Sequence, residues 1–195
     1  MSNRYSLSET ISTDWALACT RVFYRPARLI RRPVYLRGRE HLRMGAGLTT
    51  GHGCRFDLAG EGVTLCLGAR CELGDGAHIV AHQSVEIGDD VLAASKVFIS
   101  DTDHGNYRGA AQDGPDTAPN ARPLVSAPVK IGSRVWIGEN AVILAGSRIG
   151  DGCIVGANSV VRGDFPAGCM LAGAPARVIK RWNAQTRQWE REKNA

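Results

Sequence analysis

The chain has 195 residues, enough for one domain with its own core, and a formal net charge of +5. Only 6% of the residues are aromatic while 23 are glycine, which suits a narrow interior filled by small and branched side chains. No apolar run approaches the ~18 residues of a membrane span, and no nucleic-acid-binding motif accompanies the positive charge, so both of those classes are excluded.

Residues 1–43 carry nine arginines against Glu9, Asp14 and Glu40, a net of +6 that leaves −1 for the rest. Residues 1–35 form a basic N-terminal segment. Within it, Trp15 to Arg32 sets Val22, Phe23, Leu29 and Ile30 beside five arginines. Two readings stay open: a helix that caps the first coil of a repeat domain, or a basic amphipathic element resting on anionic lipid. Ala16-Leu17-Ala18-Cys19 has the look of a cleavage site, but Glu9 and Asp14 interrupt the apolar stretch a leader needs, and a cytoplasmic protein is expected.

From residue 36 to 176 the chain reads as one repeat domain. Leu36, Leu42, Leu48 and Cys54 recur every sixth residue; Leu67, Leu73, Ile79 and Val85 do so again, then Ile87, Ala93 and Ile99. The phase breaks between Cys54 and Leu67 and between Val85 and Ile87 read as corner insertions. The period is cleanest in Ile131, Ile137, Ile143, Ile149, Val155 and Val161, with Val135, Ala141, Ser147, Cys153 and Ser159 two positions before the later members. No helix or single strand repeats on six. A six-residue period predicts an all-β fold, the hexapeptide parallel β-helix, in which three short strands close one triangular lap of about 18 residues. The aliphatic register stacks inside the prism at about 4.8 Å per lap, and the smaller register also faces inward near the corners. Gly132, Gly138, Gly150 and Gly156, with Asn140 and Asn158, are expected to supply the backbone angles of those corners. Six cysteines without CxxC spacing, Cys71 and Cys153 in the small register and Cys54 in the aliphatic one, read as small buried hydrophobes, not as disulfides or a metal site.

Between Ile99 and Ile131 the repeat stops, and residues 100–129, rich in Gly and Pro, form a loop that leaves the prism. At its root lies Asp101-Thr102-Asp103-His104-Gly105. His104 follows a coil strand directly, and an imidazole with a reference pKa near ~6.5 can accept a proton at neutral pH. Asp103 and Asp101 are both candidates to orient its ring. His82, Asp57 and Glu86, placed toward the loop side, are candidates for an acceptor pocket. Residues 177–195 lack the six-residue spacing and read as a C-terminal helix or arm.

With ISDTDHGNY (Ile99 to Tyr107), VWIGENAVILAGSRIGDGCIVGANSVV (Val135 to Val161) and LAGAPARVIK (Leu171 to Lys180) in this order, the chain resembles the hexapeptide-repeat acyltransferases over residues 36–182. It is most similar to the galactoside, maltose and xenobiotic O-acetyltransferases and to the O-antigen and exopolysaccharide acetyltransferases. The resemblance implies a left-handed β-helix, a homotrimer with sites between neighbouring prisms, and acetyl-CoA as co-substrate without a metal. It implies that His104 takes the proton of an acceptor sugar hydroxyl, which then attacks the thioester directly. It places the pantetheine arm along turns at Gly138, Ala145 and Ala157, and the phosphates near Arg162, Arg177 and Lys180. Trp136 reads equally as a contact to coenzyme A or the loop and as surface packing between subunits. A lipid-linked acceptor at the inner membrane face would suit the basic N-terminus. The alternatives are N-acetylation of an amino-sugar, an idle sugar-binding trimer, and a γ-carbonic-anhydrase-like metal enzyme; the last needs three convergent histidines, which His41, His52, His78, His82 and His104 do not announce.

Overall fold

The computed structural model describes residues 6–192; the first five residues of the N-terminal segment and the last three of the C-terminal arm lie outside them. The chain winds as a parallel β-helix with three faces. Face one runs Leu29–Ile30, Thr49–Thr50, Glu72–Leu73, Leu92–Ala93, Trp136–Ile137, Ile154–Val155 and Cys169–Gly173, each strand pairing in parallel with the next. Face two stacks Tyr35–Arg37, Arg55–Leu58, His78–Ala81, Phe98–Ser100, Val142–Ile143 and Val160–Val161. Face three stacks Leu42–Met44, Leu65–Leu67, Val85–Ile87, Val129–Ile131, Arg148–Ile149 and Asp164–Phe165.

The late aliphatic register is buried as expected, Ile131 to Val161 being at most 2% exposed, and the smaller register from Val135 to Ser159 is equally enclosed. Each such aliphatic side chain stabilises the prism by ~1.5–3 kcal/mol. The early register needs correction. Cys54 precedes Arg55, whose N–H bonds the carbonyl of Ala77, so Cys54 stands in the small register with Ala77, while Thr50 and Phe56 take the aliphatic positions above Leu73 and Ile79. Equal spacing in the sequence had joined two registers into one.

The glycines after the aliphatic positions also have a different cause from the one expected. Gly132, Gly138, Gly150 and Gly156 do not adopt positive φ. A Cβ on Gly138 would lie 2.5 Å from the Ala157 nitrogen of the next lap, so close approach of laps excludes a side chain there. Positive φ falls two residues later, at Asn140 (φ 56) and Asn158 (φ 57), the two asparagines expected at corners, and also at Arg134.

Spacing between stacked inward residues is six everywhere except at the corner from face two to face three. There it is eight from Leu36 to Met44, eleven from Phe56 to Leu67, eight from Ile79 to Ile87 and thirty-two from Ile99 to Ile131, then six from Ile143 to Ile149 and four from Val161 to Phe165. The N-terminal insertions and the long loop therefore pile on one edge of the prism, and the two phase breaks seen in the sequence are insertions on that edge.

The N-terminal helix is Leu7–Phe23, opened by a capping box in which Ser6 N–H donates to Glu9 at 2.7 Å and Glu9 N–H to the Ser6 hydroxyl at 3.3 Å. It buries Ala16, Cys19 and Thr20, and the Thr20 hydroxyl accepts from Ile30 N–H at 2.9 Å, so it lies against the edge strand of the first lap. That lap starts at Leu29, before the expected residue 36. At the other end the arm is a hairpin and not a helix: Ala176–Asn183 turns antiparallel onto Cys169–Gly173, and Gln188–Arg191 pairs with it. Trp182 and Trp189, opposite each other in that hairpin, meet edge-on at 5.5 Å between ring centres. All six cysteines are free thiols, five of them buried.

Candidate active site

Asp101, fully buried, is the root of the insertion edge. Its carboxylate accepts the backbone N–H of His82 at 2.9 and 3.1 Å, of Gln83 at 2.7 Å and of Ser84 at 2.8 Å, and the Thr102 hydroxyl at 2.7 Å. Its own carbonyl accepts from Ala127 N–H at 2.8 Å, on the returning limb of the loop. One residue thus ties the lap corner below to both limbs of the loop, its side chain holding the corner and the outgoing limb and its main-chain carbonyl the returning one. Charge-assisted bonds of this kind are the stronger ones, and they commit both oxygens of Asp101 away from the His104 ring.

The outgoing limb Thr102–His104 pairs antiparallel with Leu124–Ser126, with Asp103 opposite Val125 and His104 opposite Leu124. Successive side chains of a strand face opposite sides, so Asp103 and His104 point apart. Asp103 turns to Arg162, Oδ2 to Nη2 2.5 Å, and these two line a small pocket with Tyr107, Arg108, Ala127 and Ala145. His104 is exposed, and among the described residues its imidazole has no hydrogen-bond partner. Asp101 and Asp103, the two candidates to orient the ring, do not bond it within this chain: one is buried against corner amides and the other is turned away by strand alternation to Arg162.

The candidate acceptor residues separate. His82 sits at the corner held by Asp101. Asp57 lies on face two in line with Val80 and Ser100, and binds Arg55 at 2.5 Å, His78 at 2.9 Å and Arg37 at 3.3 Å. Burial pushes its carboxyl upward, but the bonds from Arg55 and His78 together outweigh this and leave it below the usual carboxylate value. Glu86 is on face three, 3.7 Å from Lys130.

The candidate coenzyme contacts lie on different parts of one prism. Ala145 and Arg162 are on the insertion edge beside Asp103. Gly138 and Ala157 meet on the edge between faces one and two, with Trp136 exposed on face one. Arg177 and Lys180 are on the C-terminal hairpin. Within a single chain these groups do not converge on one cleft. Sequence reasoning missed Tyr107, whose hydroxyl reaches the His104 carbonyl, and Arg122, which holds that hydroxyl; the first lay inside the ISDTDHGNY block, the second had no signal.

The bacterial transferase hexapeptide (six repeats) family matches residues 128–163. Over 192 residues the chain is 43% identical to a putative lipopolysaccharide biosynthesis O-acetyl transferase, WbbJ, of Escherichia coli strain K12, spanning 98% of this chain and 97% of that protein. Galactoside acetyltransferase, solved in complex with coenzyme A, superposes with a TM-score of 0.53 at 29% identity over 74% of this chain and 70% of that one. A mutant of AntD, an N-acyltransferase from Bacillus cereus solved with dTDP-4-amino-4,6-dideoxyglucose and coenzyme A, reaches 0.70 at 18% identity over 95% and 94%, a likeness of fold. The chain belongs to the hexapeptide-repeat acyltransferases, and its prism is their left-handed β-helix.

Proposed function

We propose that the chain transfers an acetyl group from acetyl-CoA to a sugar hydroxyl in the assembly of a cell-surface polysaccharide, with His104 as general base. The observation that carries this reading is an exposed imidazole, without a bonding partner among the described residues, on a pinned two-stranded ribbon at the insertion edge, in a chain 43% identical to WbbJ. That relative favours oxygen over nitrogen as the acceptor atom.

Bound acetyl-CoA would supply an activated acyl group and a thiolate leaving group. An imidazole nitrogen of His104 takes the hydroxyl proton as the new C–O bond forms, and the resulting imidazolium can return that proton to the departing sulfur. Holding both reactants beside the ribbon supplies much of the rate. The residues present fit the coenzyme: Arg177 and Lys180, on the face-one hairpin, would supply cations to its phosphates, and the small side chains of exposed Ala157 and of Ala145, which lines the pocket beside Asp103, leave room for a slender amide-bearing arm.

A homotrimer completes the site in this reading, because the candidate coenzyme contacts occupy separate edges of one prism. Two outward ladders support association. Leu92, Trp136, Ile154 and Met170 line up on face one, and Phe98, Val142 and Val160 on face two, whereas face three shows Arg43, Glu86, Lys130, Arg148 and Asp164. We also place the acceptor at an anionic membrane face. The helix Leu7–Phe23 exposes Leu7, Ile11, Trp15 and Val22 opposite buried Ala16 and Thr20, with buried Cys19 at the border beside Trp15, and arginines follow it. Among the described residues no helix is long and apolar enough to cross a membrane. Equal flotation of the full chain and of residues 33–195 with phosphatidylglycerol vesicles would reject the lipid contact.

The main test follows thiol release from acetyl-CoA with saccharide acceptors. His104→Ala should lower turnover by about 10²-fold or more; a variant as active as wild type removes His104 from the mechanism.

A further inference from the structure

Tyr107 is 52% exposed, yet its hydroxyl is bound on both sides. It donates to the main-chain carbonyl of His104 at 2.5 Å and accepts from Nη1 of Arg122 at 2.6 Å. Arg122 is itself anchored, its Nε donating to the Thr117 carbonyl at 2.9 Å and its guanidinium carbon lying 5.8 Å from the centre of the Tyr107 ring. The link crosses the chain over Gly105, whose N–H donates to the Pro123 carbonyl at 2.8 Å. A Cβ on Gly105 would lie 2.9 Å from the Tyr107 hydroxyl and 3.0 Å from Cδ of Arg122, and its φ of +99° is one that side-chain-bearing residues rarely adopt. Glycine leaves the gap that the tyrosine and arginine fill.

Among the described residues no carboxylate bonds the His104 ring, so its aim is set by its main chain. On one side of His104 the preceding residue is tied to Arg162 and the strand is laddered to Leu124. On the other side the peptide is laddered through Gly105 N–H to the Pro123 carbonyl, and its own carbonyl takes, among the described residues, a side-chain bond from Tyr107 that fixes the tilt of the plane. With both flanking peptide planes held, the Cα–Cβ direction is set, and with it the reach of the imidazole. We propose that Tyr107, held by Arg122, is a positioning residue that acts through the His104 main chain. This deepens the proposed function and rests on His104 being the base.

Two readouts on the full assembled chain test it. The first needs no acceptor: ¹³C relaxation of the histidine rings, with the His104 signal assigned by its loss in His104→Ala. Tyr107→Phe and Arg122→Met should lower the His104 ring order parameter below its wild-type value while leaving the other histidine rings unchanged, with a thermal midpoint within about 2 °C of wild type. An unchanged order parameter overturns the proposal. The second uses acetyl-CoA with p-nitrophenyl hexosides and thiol release. Tyr107→Phe should lose about 10-fold in kcat with KM for acetyl-CoA within about twofold and the pH profile unshifted, and Arg122→Lys should recover part of what Arg122→Met loses. Full kcat with a raised KM would make Tyr107 a substrate contact and overturn positioning. Turnover that survives His104→Ala refutes the base, while the relaxation result still decides whether Tyr107 orders the ring.

Discussion

Asp101 offers the sharpest separation between a structural and a chemical carboxylate. Replacing it with alanine strips a partner from three amide N–H groups, those of His82, Gln83 and Ser84, and from the Thr102 hydroxyl. An N–H left without a partner costs about 1–3 kcal/mol. Gln83 is exposed and its neighbours are half-buried, so water recovers part of this and the low end applies, giving a total of about 3 kcal/mol. For a chain of this length each kcal/mol moves the midpoint by about 2–4 °C, so Asp101→Ala should unfold about 6–12 °C lower. Asp101→Asn keeps one acceptor oxygen for Gln83 and Ser84 and presents a donor to His82 N–H, and should lose about half as much. The assay is thermal unfolding followed by circular dichroism at fixed protomer concentration, since association shifts the midpoint. An Asp101→Asn variant with an unchanged midpoint and a large drop in turnover would refute the reasoning and return Asp101 to the role of orienting His104.

Asn140→Ala and Asn158→Ala should each lower stability by about 1 kcal/mol through left-handed strain, while Asn→Gly at either position should be neutral within about 0.5 kcal/mol; equal unfolding midpoints for Ala and Gly would deny that φ of 56° and 57° matters there. Gly138→Ala should destabilise by about 2 kcal/mol or more, since its Cβ meets backbone of the next lap and not a movable side chain; a midpoint within 1 °C of wild type, about the error of the measurement, would show that the laps can part. Burial pushes the Cys54 thiol from 9.0 up to about 11. A raised folded-state value means its contribution is complete below about 9 and lost as pH rises through about 11. Cys54→Ala should therefore flatten the alkaline fall of the urea midpoint between pH 9 and 11, and parallel curves would contradict the burial.

Several of these residues mark where local pattern runs out. Ile131 to Val161 were readable because each lap repeats the same six-residue geometry, so burial prints itself on the sequence as a period. Leu36 to Cys54 misled for the same reason: an inserted pair of residues after Leu36 shifts the phase while leaving leucines at equal spacing. The hairpin at Ala176–Asn183 was open to two readings because its short apolar run fits a strand or a helix, and the free edge of Cys169–Gly173 decides between them.

The amino-acid order alone established a three-sided stack of laps, one loop and the histidine at its root, because core periodicity and chain interruption are properties of neighbouring residues. Folding in three dimensions decided which partners the two aspartates take. Asp103 meets Arg162 from 59 positions away and Asp101 meets a corner from 17 to 19 positions back, distances closed only by the stacking of laps. It also decided that the His104 main chain is held while, among the described residues, nothing bonds its ring.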